Sequence, residues 1–495
     1  MTSPVDHVAF HARLQPERLA VVDLASEQRW SYAQFDRAIA CCARVLRDIH
    51  RVQPGERVAS LARNRAELAM LHLACARMGA IYVPLNWRLS GPEIEALLED
   101  AEPRLLVGDA ELAGHGVAGL LLDELIAAIR SAEPLATPAI DPSRPSLILY
   151  TSGTSGRPKG ALLNERNIGQ TAINFSQLGR VTRDSVFLLD SPMFHVIGLV
   201  CNIRPALMQG GTIVISDGFV PARTLARLGD PSLQVTHYFC VPQMAEMLRA
   251  EPGYDPMPLS GLTGLFTGGA PHPAADIHAW LVDGVPVVHG FGMSEAGTVF
   301  GMAIEPELLA AKAGSVGMST PAVQARIVDA DERDCPAGAA GELLLRGETV
   351  FGGYWRRPEE TAGTFTDDGW FRTGDIAMCD ADGFYWMVDR KKDMFISGGE
   401  NVYPAEIEAE LAGYRGLADY AVVGIPDARW GEVGVAALVV GEGAQVDIEA
   451  LAAHLAGRLA RYKLPKRYVI VESLPRTGSG KVRKTDLRLM LSQVD

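Results

Sequence analysis

Residues 150–160 read YTSGTSGRPKG, with hydroxyls at Thr151, Ser152, Thr154 and Ser155, glycines at Gly153 and Gly156, and one cation at Lys159. The apolar run 147–149 precedes it and reads as a buried strand. A glycine-rich loop costs much entropy to order, so its residue types must serve a purpose. Exposed backbone N–H groups, hydroxyls and a cation together suit a phosphate clamp. A Walker A loop is excluded, because Lys159 follows Pro158 and precedes Gly160, with no hydroxyl residue directly after the lysine. A dinucleotide fingerprint is excluded by the glycine spacing, and no clear helix signal follows the loop.

Four further stretches carry chemistry. GFGMSE at 290–295 sets the Glu295 carboxylate beside the Ser294 hydroxyl after a glycine turn. GWFRTGD at 369–375 ends in Asp375, an acid suited to bridging two ribose hydroxyls. DRKKDMFISGGENVYPAEIE at 389–408 and PRTGSGK at 475–481 complete the set. In this order and spacing the motifs resemble the adenylate-forming (AMP-binding) superfamily, in its acyl-CoA synthetase and fatty-acid–CoA ligase branch. The resemblance covers nearly the whole chain.

It implies a two-step ligase. A carboxylate attacks the α-phosphate of ATP·Mg²⁺ to form an acyl-adenylate and pyrophosphate; a thiol then displaces AMP. The loop from Thr151 to Lys159 would hold the β- and γ-phosphates, and Thr151 and Glu295 would bind the metal. Ser294 would contact the α-phosphate. Gly269, Ala270, Gly290, Phe291, Gly292 and Met293 would frame the adenylate, with Phe291 stacked on adenine. Asp375 would grip the ribose, and Arg390 would reach ribose or phosphate. Lys481 would neutralise charge in the first step only. Lys392 would be the hinge of a mobile C-terminal domain whose swing brings Gly398, Gly399 and Glu400 to the thiol channel. Catalytic weight therefore falls on Lys481, Glu295, Lys159 and His195. Phe291 stands where Tyr is common, Ser294 where Thr is, and Asn164-Glu165 where a hydroxyl residue and His usually follow the loop.

The acyl pocket is expected around His195, Val196, Ile197, His237, Gly268, Gly290 and Met293. Ile197 replaces the Tyr of a coumarate-ligase pattern, which weakens a phenol-binding assignment. Gly290 stands where malonate-activating relatives carry Arg. An apolar monocarboxylate, most simply a medium- or long-chain fatty acid, is the expected substrate, with an aryl- or hydroxycinnamoyl-CoA ligase as the alternative. An acyl-AMP ligase for a carrier protein and an inactive nucleotide-binding relative rank lower. His237 shares a strand face with Val235, Phe239 and Val241; it is read either as core or as a contact to a polar group along the acyl chain. No carrier module follows Lys481, so CoA is the expected acceptor. Its phosphates would meet Arg461 and Lys463, within a last forty residues that hold ten basic side chains against three acidic ones.

The elements positioning these residues alternate. Strands at 19–22, 57–61, 80–84 and 104–107 interleave with helices at 67–78 and after the capping signals SYAQ (31–34) and SGPE (90–93). Such alternation predicts an α/β fold with parallel or mixed sheets covered by helices. Short strands and glycine turns at 316–389 predict a small β-barrel-like subdomain. Residues 390–495 predict a small α+β domain, leaving 1–389 for ATP and acid.

Composition agrees with such an enzyme. Hydrophobic residues make up 48% and charged residues 21%. A formal charge of −14 disfavours general nucleic-acid binding. Seven scattered Cys without a C-x-x-C spacing argue for reduced thiols and against a structural zinc site. No apolar run of membrane-spanning length and no address signal is present, so the cytoplasm is the expected location. The expected partners are a small carboxylic acid, ATP and CoA, with a homodimer permitted.

Overall fold

The computed structural model describes residues 6–109, 115, 117–136, 139–151, 158–391, 393–397, 400–427, 430–456, 458–459, 461–476 and 480–492. Of Arg390, Glu400, Asn401 and Gly431 only the backbone is described. The chain forms two compact units, Met1–Ala325 with Leu345–Phe371 and Arg326–Leu344 with Arg372–Asp495. The division falls earlier than the expected boundary at 389/390. Segment 326–344 is bonded to the strand at 371–379: Thr373 Oγ1 donates to Leu343 O at 2.8 Å, and Gly338 N donates to Cys379 O at 2.8 Å.

Two sheets of like design organise the first unit. One has seven strands in the order Val287–His289, Gly264–Thr267, His237–Cys240, Val186–Leu189, Thr212–Ile215, Leu19–Asp23 and Gln28–Ser31. The other has six: Leu120–Leu121, Leu105–Gly108, Arg57–Leu61, Ile81–Pro84, Pro145–Thr151 and Lys159–Asn164. Each is parallel except for one antiparallel strand at its edge. Parallel strands buried on both faces favour apolar runs, which 81–84 supplies; in 57–61 the buried Ser60 hydroxyl is instead paired with that of Tyr82 at 2.7 Å. The expected capping boxes form: Ser31 with Gln34 opens helix Tyr32–Asp48, and Ser90 with Glu93 opens Gly91–Ala101.

The second unit contains the antiparallel pairing of residues 375–379 with 385–390 and a five-stranded sheet built on Leu417–Asp427 and Gly431–Val440. Period-2 alternation splits its core. Val422, Ala436 and Leu438 pack with helices Pro404–Leu411 and Ile448–Ala456 on one face. Ala421, Val423, Val435 and Ala437 pack with Leu487 and Leu491 of helix Lys484–Ser492 on the other.

All seven cysteines are free thiols. Among the described residues no helix is long and apolar enough to cross a membrane.

Candidate active site

The loop sits between two strands of a hairpin, which explains why no helix follows it directly. Pro145–Thr151 pairs antiparallel with Lys159–Asn164, and Thr151 stands opposite Lys159 in register. The Thr151 hydroxyl donates to Lys159 O at 3.3 Å. Ser152, Gly153, Thr154, Ser155 and Gly156 lie outside the described residues.

Lys159 points into a polar cluster that the sequence motifs did not reveal. Its ammonium forms an ion pair with Glu360 and lies 5.4 Å from the ring centre of Tyr354. Tyr354 in turn donates its phenol to Oε1 of Glu295 at 3.0 Å. Main-chain bonds fix this arrangement: Leu162 N donates to Gly353 O at 3.0 Å, and Trp355 N to Gly160 O at 2.8 Å. Phe351 N donates to Glu295 O at 2.8 Å. The neighbouring Tyr-Trp dipeptide at 354–355, after two glycines, was the only sequence signal for this wall.

Glu295 is buried and sits in the turn between strands Phe291–Met293 and Gly297–Gly301. Gly297 makes that turn possible. It has φ +58°, and a Cβ there would stand 1.9 Å from Oγ1 of Thr171. Phe291 is half-buried, with its ring 5.8 Å from that of Phe300. Ser294, Met293 and Ala270 are likewise half-buried, so they border open space.

The expected acyl region gathers at the ends of the parallel strands of the larger sheet, where such sheets place ligands. His195 is half-buried and precedes a π-helical turn, Ile197–Asn202, a distortion often found at functional sites. Asn202 Nδ2 donates to Ile197 O at 2.8 Å within it. Gly198 is required, since a Cβ there would stand 2.1 Å from Pro192 O. Ile197 Cδ1 comes within 3.6 Å of the Cβ position of Gly269, and Val241 Cγ1 within 3.9 Å. The Cβ position of Gly268 lies 3.6 Å from the Phe239 ring and 3.2 Å from Gly290 O. The Phe239 ring stacks on that of Phe175 with centroids 5.4 Å apart, and Phe266 lies 4.9 Å from Phe175.

His237 is placed differently from the substrate-contact expectation. It is 1% exposed, with its ring stacked on Phe187 at 4.5 Å. Nε2 lies 2.8 Å from Gly179 O, and Nδ1 lies 2.8 Å from the Thr236 hydroxyl. A carbonyl only accepts, so Nε2 carries the proton. Burial pushes the imidazole down to about 4, keeping it neutral. Both nitrogens are thus used inside the protein, which corrects the polar-contact reading in favour of a core histidine.

The Asn164-Glu165 departure is also explained. Asn164 caps helix Glu165–Leu178 through a capping box with Asn167. Glu165 is buried, accepts from Ser146 Oγ at 2.8 Å and forms an ion pair with buried Arg204. Burial raises its carboxyl, but the Arg204 guanidinium, together with His72 and the Ser146 hydroxyl, outweighs this and holds it below the usual range. Arg204 Nη1 also lies 3.3 Å from His72 Nε2, which must accept.

The second unit carries the remaining expected residues. Asp375 is 4% exposed, its N–H donates to Thr373 Oγ1 at 3.0 Å, and its Cα partner is Arg390. Lys391 N donates to Gly374 O at 2.9 Å, while Lys391 Nζ pairs with Glu342 at 2.8 Å. Lys392, Gly398 and Gly399 lie outside the described residues, and Glu400 is described only as part of strand Glu400–Val402. Lys481 is exposed, and, two residues on, Arg483 N donates to Pro475 O at 2.7 Å. Of the CoA candidates, Arg461 is exposed, whereas Lys463 pairs with Glu406 at 2.8 Å.

The oxygen donors suit the expected metal. The Glu295 carboxylate and the Thr151 hydroxyl are hard ligands of the kind Mg²⁺ takes. Among the described residues no cluster of three His, Cys, Asp or Glu side chains competes as a metal site.

Comparison with known proteins gives these positions a context. The AMP-binding enzyme family matches residues 8–355, and the AMP-binding enzyme C-terminal domain matches 406–481. A feruloyl-CoA synthase of Amycolatopsis sp is 38% identical, over 96% of this chain and 96% of its own. An indoleacetate–CoA ligase of Aromatoleum aromaticum is 38% identical over 98% and 97%. A long-chain-fatty-acid–CoA ligase of Mycobacterium tuberculosis is 34% identical over 96% of each. Among solved structures, ATP-bound MatB from Rhodopseudomonas palustris superposes with TM-score 0.90, at 31% identity, over 98% of this chain and 99% of that one. The o-succinylbenzoate CoA synthetase of Bacillus subtilis with ATP and magnesium gives 0.87, at 29% identity, over 98% and 100%. With both family domains present and full-length similarity to enzymes of one reaction type, the chain belongs to the AMP-binding enzyme family, in its AMP-forming acid–thiol ligase branch.

Proposed function

We propose that the protein joins an apolar monocarboxylic acid to CoA using ATP and Mg²⁺, through an acyl-adenylate, releasing pyrophosphate and then AMP. The observation that carries this reading is the chain of contacts from Lys159 through Tyr354 to Glu295. It sets a cation and a buried carboxylate on one wall beside the hairpin that bears the phosphate loop. Phosphoryl chemistry needs little covalent help but much fixed charge at the oxygens where charge shifts. Mg²⁺, held by Glu295 and Thr151, would supply much of that charge. Lys159 adds to it, and Tyr354 keeps the Glu295 carboxylate aimed. In the same reading Ser294 meets the α-phosphate, Phe291 the adenine, and Asp375 and Arg390 the ribose. Lys481 serves the first half-reaction. The segment containing Gly398, Gly399 and Glu400 serves the second, with Arg461 for CoA phosphate.

For the acid we favour a compact arylalkanoic or arylpropenoic acid. The Phe239 ring, stacked on Phe175, lies 3.6 Å from the Cβ position of Gly268, next to the Gly269 position that Ile197 and Val241 flank. A flat aryl group gains from stacking on such an aromatic neighbour. The two relatives at 38% identity act, by name, on feruloyl and indoleacetate groups, which supports the same choice. A fatty acid is the second reading, favoured by the wholly apolar flank of Ile197 and Val241 and by the Mycobacterium tuberculosis relative. Thioester formation from ferulate, indoleacetate, octanoate and palmitate separates the two. A kcat/KM higher for palmitate than for either aryl acid sinks the aryl assignment. Absence of ATP-dependent pyrophosphate release with every acid sinks the ligase reading itself.

A further inference from the structure

Thr267 and His289 end adjacent parallel strands and face each other in register. Beyond them run segments 268–271 and 290–294, which the proposed function gives to adenylate and acid. His272 returns to the same point. Thr267 Oγ1 lies 2.9 Å from Nδ1 of His272 and 3.1 Å from Nδ1 of His289. The two rings meet edge to face, 5.8 Å apart at 87°. All three residues are buried, with exposures of 1%, 4% and 3% for Thr267, His272 and His289. Gly290 N adds a main-chain bond to Thr267 O at 2.9 Å.

The chemistry of this contact is restrictive. Burial keeps His272 and His289 neutral, pushed down to about 4 and about 3. A hydroxyl has one proton, so Thr267 donates to one Nδ1 and must accept an N–H from the other ring. The two imidazoles therefore hold opposite tautomers. Whichever ring donates, the same three side chains are joined, and loss of the hydroxyl leaves both buried Nδ1 atoms without this partner. The contact closes the 268–271 loop on itself and ties that loop to the strand end entering 290–294.

We propose that Thr267, His272 and His289 are positioning residues for adenylation: their clasp sets the spacing of segments 268–271 and 290–294, and with it the aim of Phe291 and Ser294. The proposal rests on the adenylate reading of those segments. Thr267→Val removes the hydroxyl at nearly constant shape, and Thr267→Ser keeps it. We expect Thr267→Val to raise KM for ATP and for supplied acyl-adenylate about tenfold, the loss of roughly one to two hydrogen bonds, with KM for CoA unchanged. Thr267→Ser should restore the parental constants. His272→Leu against His272→Asn gives the same comparison should the valine variant fold poorly. Activity that falls only with the folded fraction at constant KM overturns the clasp, as does a serine variant no better than valine. If the parent chain shows no ATP–pyrophosphate exchange with any acid, the proposed function fails, and the clasp loses its basis with it. Exchange in the parent with unchanged KM in both Thr267→Val and His272→Leu removes the clasp alone.

Discussion

The phenol of Tyr354 donates to Oε1 of Glu295 at 3.0 Å while its ring faces the ammonium of Lys159 at 5.4 Å. One side chain thus touches both the expected metal ligand and the phosphate-loop lysine. Hydrogen bonds to charged groups contribute about 1.5–3 kcal/mol, which corresponds to about ten- to hundredfold in rate or affinity. Tyr354→Phe keeps the ring and deletes the bond. ATP–pyrophosphate exchange by that variant should require more Mg²⁺ and fall by about tenfold or more. An unchanged Mg²⁺ titration would show that Tyr354 only packs.

Lys481 stands exposed in the second unit. If it serves only the first half-reaction, Lys481→Ala loses adenylate formation yet converts supplied acyl-adenylate and CoA to thioester at near-parental rate. Equal loss in both assays contradicts this division of labour.

Glu165 and Arg204 form a buried ion pair between helices Glu165–Leu178 and Ile203–Gln209. Removing one partner of such a pair costs about 3–5 kcal/mol, because the other charge is left uncompensated. Arg204→Leu should therefore destabilise the protein strongly. The double variant with Glu165→Leu should recover much of the loss. Chemical unfolding curves of the two decide it. Because the Glu165 carboxyl is held below its ordinary 4.5, its stabilisation is complete above that pH and fades as the pH falls through the lowered native value. Glu165→Gln should flatten that part of the acid limb.

Four buried histidines set a second acid sensitivity, which begins at higher pH. Burial drives His237 and His272 down to about 4, and His72 and His289 to about 3. Each contributes stability that is fully present above the unfolded value of 6.5 and is lost as the pH falls toward its native value. While the unfolded ring protonates and the native one does not, the slope is about 1.4 kcal/mol per pH unit per group. Unfolding free energy should decline between about pH 6.5 and 4, and less steeply in His237→Phe. Stability flat over that interval would show that these imidazoles protonate without cost.

As a core residue, His237 should also be silent in specificity. Substituting His237→Leu is expected to lower stability, through the lost bonds to Gly179 and Thr236, while leaving the ranking of acids unchanged. A reordered ranking would restore His237 to the pocket wall.

Local signals sufficed for features that depend on neighbours in sequence. The capping boxes at Ser31 and Ser90, the parallel-sheet alternation and the motifs around Thr151, Glu295, Asp375 and Lys481 are short-range patterns, and they were readable as such. Fold class came from the alternation, and reaction type from the family resemblance that the motifs carry together. Contacts between distant segments were not readable. Tyr354 reaches Glu295 across 59 positions, and Arg204 answers Glu165 across 39. The hairpin edge at Lys159–Asn164, the enclosure of His237 by Gly179 and Phe187, and the Thr267–His272–His289 clasp belong to the same class. Burial and partner choice are set by how sheets and helices stack, and no spacing along the chain encodes which distant side chain will fill a given vacancy. The sequence by itself determined what kind of chemistry this protein performs; the tertiary structure decided which distant side chains stand together, as Tyr354 does with Glu295 and Lys159, because packing and not spacing sets those contacts.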